Sequence, residues 1–408
     1  MNTNIILGAG QTGGWAAVAM RQTGFSGRIL LIGEEEFRPY ERPPLSKAWL
    51  LETVEPPIQY FHAAERYAEL NIEFLAGCRG IAIDPIGQRV RLDDDSVHAY
   101  DKLLLATGGR ARTLAIPGGE HAATLRTVED ARRLRDALAT ARRVVCIGAG
   151  VIGLEIAAAA RGRGLDVNVV EAGSVPMGRS VTPEISEFVT RLHREAGTTL
   201  HFDMAVEAID AAPDGSLSVI CGRGFGFAAD LIVAGIGMER DFDLVRSAGL
   251  TIDDGIKVDE FGQTSVANIY AAGDIAAFYH PLFDRILRLE SWRHAQNHGV
   301  TVGQAMAGKP TPYADIPWFW SDQHGVNLQI SGLPHLATRT IVRPGADWRH
   351  FVAVHLRDDN SVIGVTAANM PRDIRAGTAM IQSGLPVDAD ALADARATLS
   401  SLVPRKTG

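Results

Sequence analysis

The apolar positions of this chain fall into short runs, each closed by glycine or by an acid. Asn4-Ile5-Ile6-Leu7 reads as a buried strand; it feeds Gly8-Ala9-Gly10-Gln11-Thr12-Gly13-Gly14 and then a helical stretch over residues 15–23. A second apolar run, Arg28-Ile29-Leu30-Leu31-Ile32-Gly33, ends in Glu34-Glu35-Glu36. The same order recurs downstream. Val144-Val145-Cys146-Ile147 leads into Gly148-Ala149-Gly150-Val151-Ile152-Gly153, a helix over 154–163 and a strand over 166–170 that closes on Glu171. Two more strand-like runs end in Ala106-Thr107-Gly108-Gly109 and in Ala272-Gly273-Asp274. Beyond Gly308-Lys309-Pro310 the pattern changes: residues 350–356 and 361–366 read as strands, and 372–383 and 389–399 as helices.

Strand, G-x-G-x-x-G turn, helix, strand and terminal acid is the order of a dinucleotide-binding βαβ unit. The glycines have separate jobs. Gly8 and Gly148 permit the tight turn, Gly10 and Gly150 let a pyrophosphate approach the backbone, and Gly13 and Gly153 let helix and strand pack closely. The helix N-terminus, carrying about half a positive charge, then faces the phosphates. One such turn is a weak signal in a glycine-rich chain; two, each with its flanking elements, predict two bound dinucleotides. The acid after each second strand accepts hydrogen bonds from ribose hydroxyls, which selects Glu34, in preference to Glu35, in the first unit and Glu171 in the second. Glu171 also favours NADH. A 2′-phosphate set about 4 Å from a carboxylate costs up to about 4 kcal/mol at an effective dielectric of about 20. Ala172-Gly173-Ser174 follow it, and the first arginine is Arg179.

Composition sets the outer bounds. The 408 residues are 46% hydrophobic and 22% charged, with a net charge of −8, which disfavours a disordered or fibrous chain and a general nucleic-acid binder. Cys78, Cys146 and Cys221 are scattered, with no CxxC, which fits a reducing cytoplasm. The first residues carry no basic leader, and the apolar stretch 144–160 is too short and too interrupted by glycine and Glu155 to span a membrane. The expected location is therefore cytoplasmic. His294 and His298 have the i, i+4 spacing of helical metal ligands, but no third ligand accompanies them, and no metal is expected.

The Ala106-Thr107-Gly108 and Gly273-Asp274 segments resemble the "ATG" and "GD" motifs of flavoproteins with two dinucleotide-binding domains, the glutathione-reductase-like superfamily. That resemblance implies an α/β fold with two Rossmann-like domains, one for FAD and one for NADH, and a C-terminal α+β domain. FAD is expected on the first glycine turn and NADH on the second. The implied bounds are 1–112 with 240–312 for FAD, 113–239 for NADH and 313–408 for the C-terminal domain. Disulfide reductases of the superfamily need cysteine beside the flavin, and none stands between Gly33 and Lys47. Instead the block Arg38-Pro39-Tyr40-Glu41-Arg42-Pro43-Pro44-Leu45-Ser46-Lys47 occurs. With Leu125-Arg126-Thr127, Glu290-Ser291-Trp292 and Pro317-Trp318-Phe319-Trp320-Ser321-Asp322-Gln323, it resembles the ferredoxin-reductase components of bacterial oxygenase systems. These are above all the reductases of aromatic-ring-hydroxylating Rieske dioxygenases and, further off, of putidaredoxin-type P450 systems.

Carried over residue by residue, the resemblance places Lys47 near flavin N5 and pairs Glu155 with it beside the nicotinamide. It puts Thr12, Arg42 and Arg126 with Gly8, Gly10, Gly13 and Glu34 around FAD, with Gly273-Asp274 at the ribityl chain and Trp292 beside the isoalloxazine ring. Gly148, Gly150, Ile152, Gly153, Glu171 and Arg179 fall to NADH. Plainer readings stand beside these: an exposed lysine, a helix-dipole acid at Glu155, an N-cap at Asp274, a packed Trp292. Trp318-Phe319-Trp320 reads either as a docking or dimer surface or as packing of the last domain. The function implied is transfer of electrons from NADH through FAD to a [2Fe-2S] ferredoxin of Rieske type. The rivals are a P450-type ferredoxin or rubredoxin reductase and a flavoprotein, like apoptosis-inducing factor, whose NADH binding is not catalytic; the oligomeric state stays open.

Overall fold

The computed structural model describes residues 2–404 apart from 214 and 395; the outermost expected bounds, residues 1 and 408, lie outside that set. The chain divides into two compact units: Met1–Glu41 with Ile58–Arg110 and Arg240–Pro317, and Arg42–Pro57 with Ala111–Glu239 and Trp318–Gly408.

The first unit is built on a five-stranded parallel sheet in the order Ile269–Ala271, Lys102–Leu105, Thr3–Leu7, Arg28–Ile32, Ile72–Leu75. Beyond their first residues, with Asn4 the buried exception, its central strands are apolar because both faces are covered. The strand order reverses beside Thr3–Leu7, and in open parallel sheets the ligand crevice lies at that reversal, outside the carboxyl ends of the strands. The helix Gln11–Gln22 leaves there, starting earlier than the sequence pattern predicts, since the glycine turn passes straight into its first turn. Against it lies the helix Trp292–Met306, at backbone distance: a Cβ built on Gly299 would lie 2.4 Å from the Thr12 carbonyl oxygen, and one on Gly303 2.5 Å from that of Ala16. The triple-acid stretch Asp93-Asp94-Asp95 forms the turn between the strands Arg89–Leu92 and Val97–Ala99, with Asp95 at φ 65°.

The second unit repeats the plan with four parallel strands in the order Thr199–His201, Asp166–Val170, Arg143–Ile147, Leu231–Ala234. Its glycine turn opens the helix Val151–Gly162, again earlier than predicted. The C-terminal part is an antiparallel five-stranded sheet, Trp318–Gln323, Val326–Gly332, Val362–Ala368, Phe351–Leu356 and Arg339–Pro344, packed by the helix Pro371–Ser383. It shares one apolar core with the nucleotide-binding part, Val326, Leu328, Ile330 and Ala353 joining Leu154, Ala157 and Val189. That common core explains why both parts fall in one compact unit. The tryptophan-rich strand splits by alternation: Phe319 packs on the core, while Trp318 and Trp320 stack on each other at 5.3 Å.

One predicted helix is cut short. Among the described residues of 389–399, the helix covers Ala389–Ala393, and a tight turn follows at Leu399–Leu402. The Arg343 guanidinium donates to the carbonyls of Leu392, Asp394 and Ala397, taking acceptors that a continuing helix would bond internally. Among the described residues no helix is long and apolar enough to cross a membrane.

The glycine contact between Gln11–Gln22 and Trp292–Met306 leaves no room for a methyl group. Gly303→Ala is expected to lower stability by about 1–3 kcal/mol, as overpacking does, read as an earlier urea unfolding transition by circular dichroism; an unchanged midpoint would show that the helices can part without cost.

Candidate active site

In the first unit, Gly8 sits at φ +108°, and a Cβ there would lie 2.2 Å from the Ala106 carbonyl oxygen, so the turn rests on the strand end of the Ala106-Thr107-Gly108 segment. A Cβ on Gly13 would meet the Gly8 carbonyl oxygen at 1.9 Å, the close helix–strand approach expected of it, while around Gly10 nothing lies within 4 Å. This is a cradle with a tight base and an open mouth, which fits a pyrophosphate. Gly273 closes it, its backbone held so near that a Cβ would touch the Thr12 hydroxyl at 2.1 Å. Asp274, buried, is the second residue of the tight turn Gly273–Ile275; the N-cap of that turn is Ala272, so the capping reading of Asp274 fails.

Glu34 directly follows the second strand and Gly33, its side chain 64% exposed and 3.9 Å from Arg110. Glu35 instead accepts the Tyr40 hydroxyl at 2.6 Å. Trp292 opens its helix and donates its indole N–H to Glu41, whose carboxyl burial pushes up.

His298, which the sequence marks only by its spacing from His294, accepts the Gly273 N–H on Nδ1 at 3.2 Å and so fixes the turn that carries Asp274. His294, one helical turn away, pairs through Nδ1 with the Tyr313 hydroxyl at 2.8 Å. Burial holds both imidazoles neutral, His294 near a pKa of about 4 and His298 well below the ordinary value. The i, i+4 spacing here builds a packed seam with Phe278 and Tyr313.

In the second unit, Gly148 takes φ +100° and its Cβ would lie 2.6 Å from the Gly235 carbonyl oxygen; a Cβ on Gly153 would lie 2.1 Å from that of Gly148. Gly150 is open, with Gly235 the nearest neighbour at 3.7 Å. Glu171 bends back onto this turn, accepting the Ala149 N–H at 2.6 Å and the Gly173 N–H at 2.7 Å. Two bonds leave lone pairs for a ribose diol. Ile152 stands 42% exposed on the first helical turn, and Arg179 reaches the Gly237 turn, 3.9 Å from where a Cβ there would stand.

Four residues along the helix from the second glycine turn lies the most buried charge of the molecule's candidate set. Glu155 is 2% exposed, and Lys47, 21% exposed, donates to its Oε2 at 2.8 Å. The prolines of Pro43–Ser46 wind that segment into a tight turn and present Ser46, which also donates to Oε2. Oε1 accepts from Ser321 at 2.6 Å. Glu155 lies beyond the first helical turn, so the dipole alone does not account for it. Arg42, beside this segment, donates to the Arg126 carbonyl at 2.7 Å, and Arg126 precedes the capping box Thr127–Asp130.

Gly8, Gly10, Thr12, Gly13, Gly273 and Asp274 thus meet at one crevice of the first unit, with Glu34 at the neighbouring strand end. Gly148, Gly150, Ile152, Gly153, Glu171, Arg179 and the Lys47–Glu155 pair gather in the second. Lys47, Arg42 and Arg126, expected with the flavin, fold as parts of the second unit. Ser46 and Ser321, which have no role in the sequence pattern, join the site through Glu155; their only sequence signal is adjacency to Lys47 and to the Trp318-Phe319-Trp320 run.

Comparison with known proteins identifies the family. Residues 3–299 match the pyridine nucleotide-disulphide oxidoreductase family, and residues 318–403 the reductase C-terminal family. The chain is 37% identical to rhodocoxin reductase of Rhodococcus erythropolis over 98% of its own length and 94% of the relative's. To the anthranilate 1,2-dioxygenase system ferredoxin–NAD(+) reductase component of Burkholderia cepacia it is 38% identical over 96% of each. Among solved structures it superposes on the ferredoxin reductase for the CYP199A2 system from Rhodopseudomonas palustris with a TM-score of 0.95, at 34% identity over 99% of this chain and 100% of that one. The reductase of the covalent putidaredoxin reductase–putidaredoxin complex gives 0.94 at 35% identity, over 98% and 97%. With two glycine cradles, a GD turn and full-length matches of this kind, the chain belongs to the pyridine nucleotide-disulphide oxidoreductase family, an FAD-dependent oxidoreductase for which the family and its relatives imply FAD and NADH as cofactors.

Proposed function

We propose that this protein is the NADH-dependent reductase component that delivers electrons, through FAD, to a [2Fe-2S] ferredoxin of Rieske type feeding an aromatic-ring-hydroxylating dioxygenase in the cytoplasm. The observation that carries the reading is the buried Lys47–Glu155 pair set on the helix of the second glycine turn. Bound FAD supplies the conversion of a two-electron donor into single electrons. The chain's own residues bind, orient and tune. Glu171, tied to the turn by two backbone N–H groups, is placed for a ribose diol and against a 2′-phosphate. The Lys47 ammonium supplies a fixed positive charge, and Glu155 fixes the ammonium's position. Thr12, Gly273 and Asp274 serve the first cofactor.

Cys78, Cys146 and Cys221 are scattered along the chain, and none stands between Gly33 and Lys47, which supports an electron acceptor outside the protein. A dioxygenase reductase among the relatives supports the Rieske-type ferredoxin. A second reading, a P450-type ferredoxin, is supported by the comparable likeness to putidaredoxin reductase of Pseudomonas putida, at 35% identity over 99% of this chain. Steady-state NADH oxidation with each ferredoxin as acceptor ranks them: kcat/KM at least about tenfold higher with the Rieske-type protein is the expected result, a difference of about 1.4 kcal/mol in transition-state stabilisation. The reverse ranking moves the protein to the second pathway.

Replacing Glu155 by Gln keeps the shape and removes the charge. Flavin reduction by NADH in anaerobic stopped flow should slow by about tenfold or more, with the fold intact by circular dichroism. Lys47→Met strands a buried carboxylate and is expected to cost about 3–5 kcal/mol of stability as well; wild-type reduction rates in both variants would remove the pair from the mechanism.

Glu171→Gln should narrow the preference for NADH over NADPH by about tenfold or more, since repulsion of the 2′-phosphate is lost while an acceptor for the Ala149 N–H remains. An unaltered preference would place discrimination elsewhere.

A further inference from the structure

The Glu155 carboxylate sits at the end of a line of polar groups that no part of the proposed chemistry uses directly. Ser321 donates to its Oε1 at 2.6 Å; the Ser321 hydroxyl oxygen lies 2.8 Å from Gln323 Nε2; Gln323 Oε1 lies 2.8 Å from His193 Nε2; and His193 Nδ1 lies 3.3 Å from His324 Nε2. Ser321, Gln323 and His193 are buried, His193 completely. The groups come from three places in the second unit: the helix of the glycine turn, the strand Trp318–Gln323 with the turn after it, and the helix Pro183–Glu195.

The chemistry of one end dictates the rest. A carboxylate ion-paired with Lys47 only accepts, so Ser321 must spend its single hydroxyl proton on Glu155. The hydroxyl oxygen then only accepts from this line, which turns the Gln323 amide NH₂ toward it. The Gln323 carbonyl oxygen therefore faces His193, whose Nε2 must carry the proton. His193 Nδ1 is left as an acceptor, and His324 must donate from Nε2. Each step follows from the one before, and every hydrogen in the line points the same way.

We propose that Ser321, Gln323 and His193 are positioning residues for Glu155, a one-way line of donors running from His324 to the carboxylate that holds it aimed at Lys47. The line replaces water that a buried carboxylate has lost, and it does so from the C-terminal strand. Burial pushes the His193 imidazole toward its neutral form, as the line requires, and holds His324 near a pKa of about 4, with His193, Arg161 and Arg349 adding to the effect. Residues matched to the reductase C-terminal family thus complete a charge site on the nucleotide-binding part. The catalytic consequence rests on the function proposed above.

The tautomer is read directly on the oxidised holoenzyme by ¹⁵N-histidine NMR, with His193→Asn identifying the resonances. The expected result is a neutral His193 protonated on Nε2; a proton on Nδ1, or an imidazolium, overturns the proposal. In stopped flow, Ser321→Ala should slow flavin reduction by NADH about tenfold, the loss of one hydrogen bond to a charged group, with the dissociation constant of NADH unchanged within about twofold. Ser321→Thr, which keeps the hydroxyl, should restore the rate. Gln323→Glu, nearly isosteric, should match Ser321→Ala because an added carboxylate draws the Ser321 proton away from Glu155. An unchanged rate in Ser321→Ala, or no rescue by Ser321→Thr, overturns the proposal. Failure of the unaltered protein to be reduced by NADH would instead overturn the functional reading, and the tautomer alone would then decide the line.

Discussion

Burying a carboxylate strips it of water, and the protein must supply substitutes from its own groups. At Glu155 those substitutes are Lys47, Ser46 and Ser321, which bring together a proline-wound turn, the helix of a glycine cradle and the first strand of the C-terminal sheet. Much of the second unit is arranged so that these segments can meet. The shared apolar core from Leu154 through Val326 to Ile330 holds the strand against the helix. The same core fixes Phe319 inward and so leaves Ser321 and Gln323 on the face that reaches Glu155 and His193.

The two nucleotide cradles illustrate how one plan serves two ligands. Both rest on a glycine at positive φ, a glycine pressed on the backbone of the first, and an open glycine between. They differ in the acid at the second strand end. Glu171 is tied by two backbone N–H groups to its own turn, whereas Glu34 stands exposed beside Arg110. Each cradle is closed from behind by further glycines, the first by Gly273 and Gly299 resting on Thr12 and the second by Gly235 resting on Gly153.

The parts legible in the sequence were those whose meaning is local. A strand, glycine turn, helix and acid follow one another along the chain, so both cradles and their acids could be read from spacing alone. Lys47 and Glu155 became visible only through resemblance, because 108 residues separate them. The donor line was not legible at all: His193 and Gln323 are 130 residues apart, and nothing in either segment announces the other. The role of His298 was hidden for the same reason: its spacing from His294 led to no site, and the backbone of Gly273 that it bonds lies 25 residues away. The shortened helix after Ala389 shows the same limit, because the competing donor, Arg343, comes from a distant strand.

The central claim is that electrons enter from NADH and leave singly to a ferredoxin, and sequential-mixing stopped flow tests it most directly. The yellow protein is mixed anaerobically with one equivalent of NADH, aged until the flavin absorbance is lost, and then mixed with oxidised Rieske-type ferredoxin. The account predicts rapid bleaching, followed by return of the flavin absorbance as two ferredoxins are reduced for each NADH consumed. Bleaching without transfer to either a Rieske-type or a P450-type ferredoxin, or no bleaching by NADH, would contradict it.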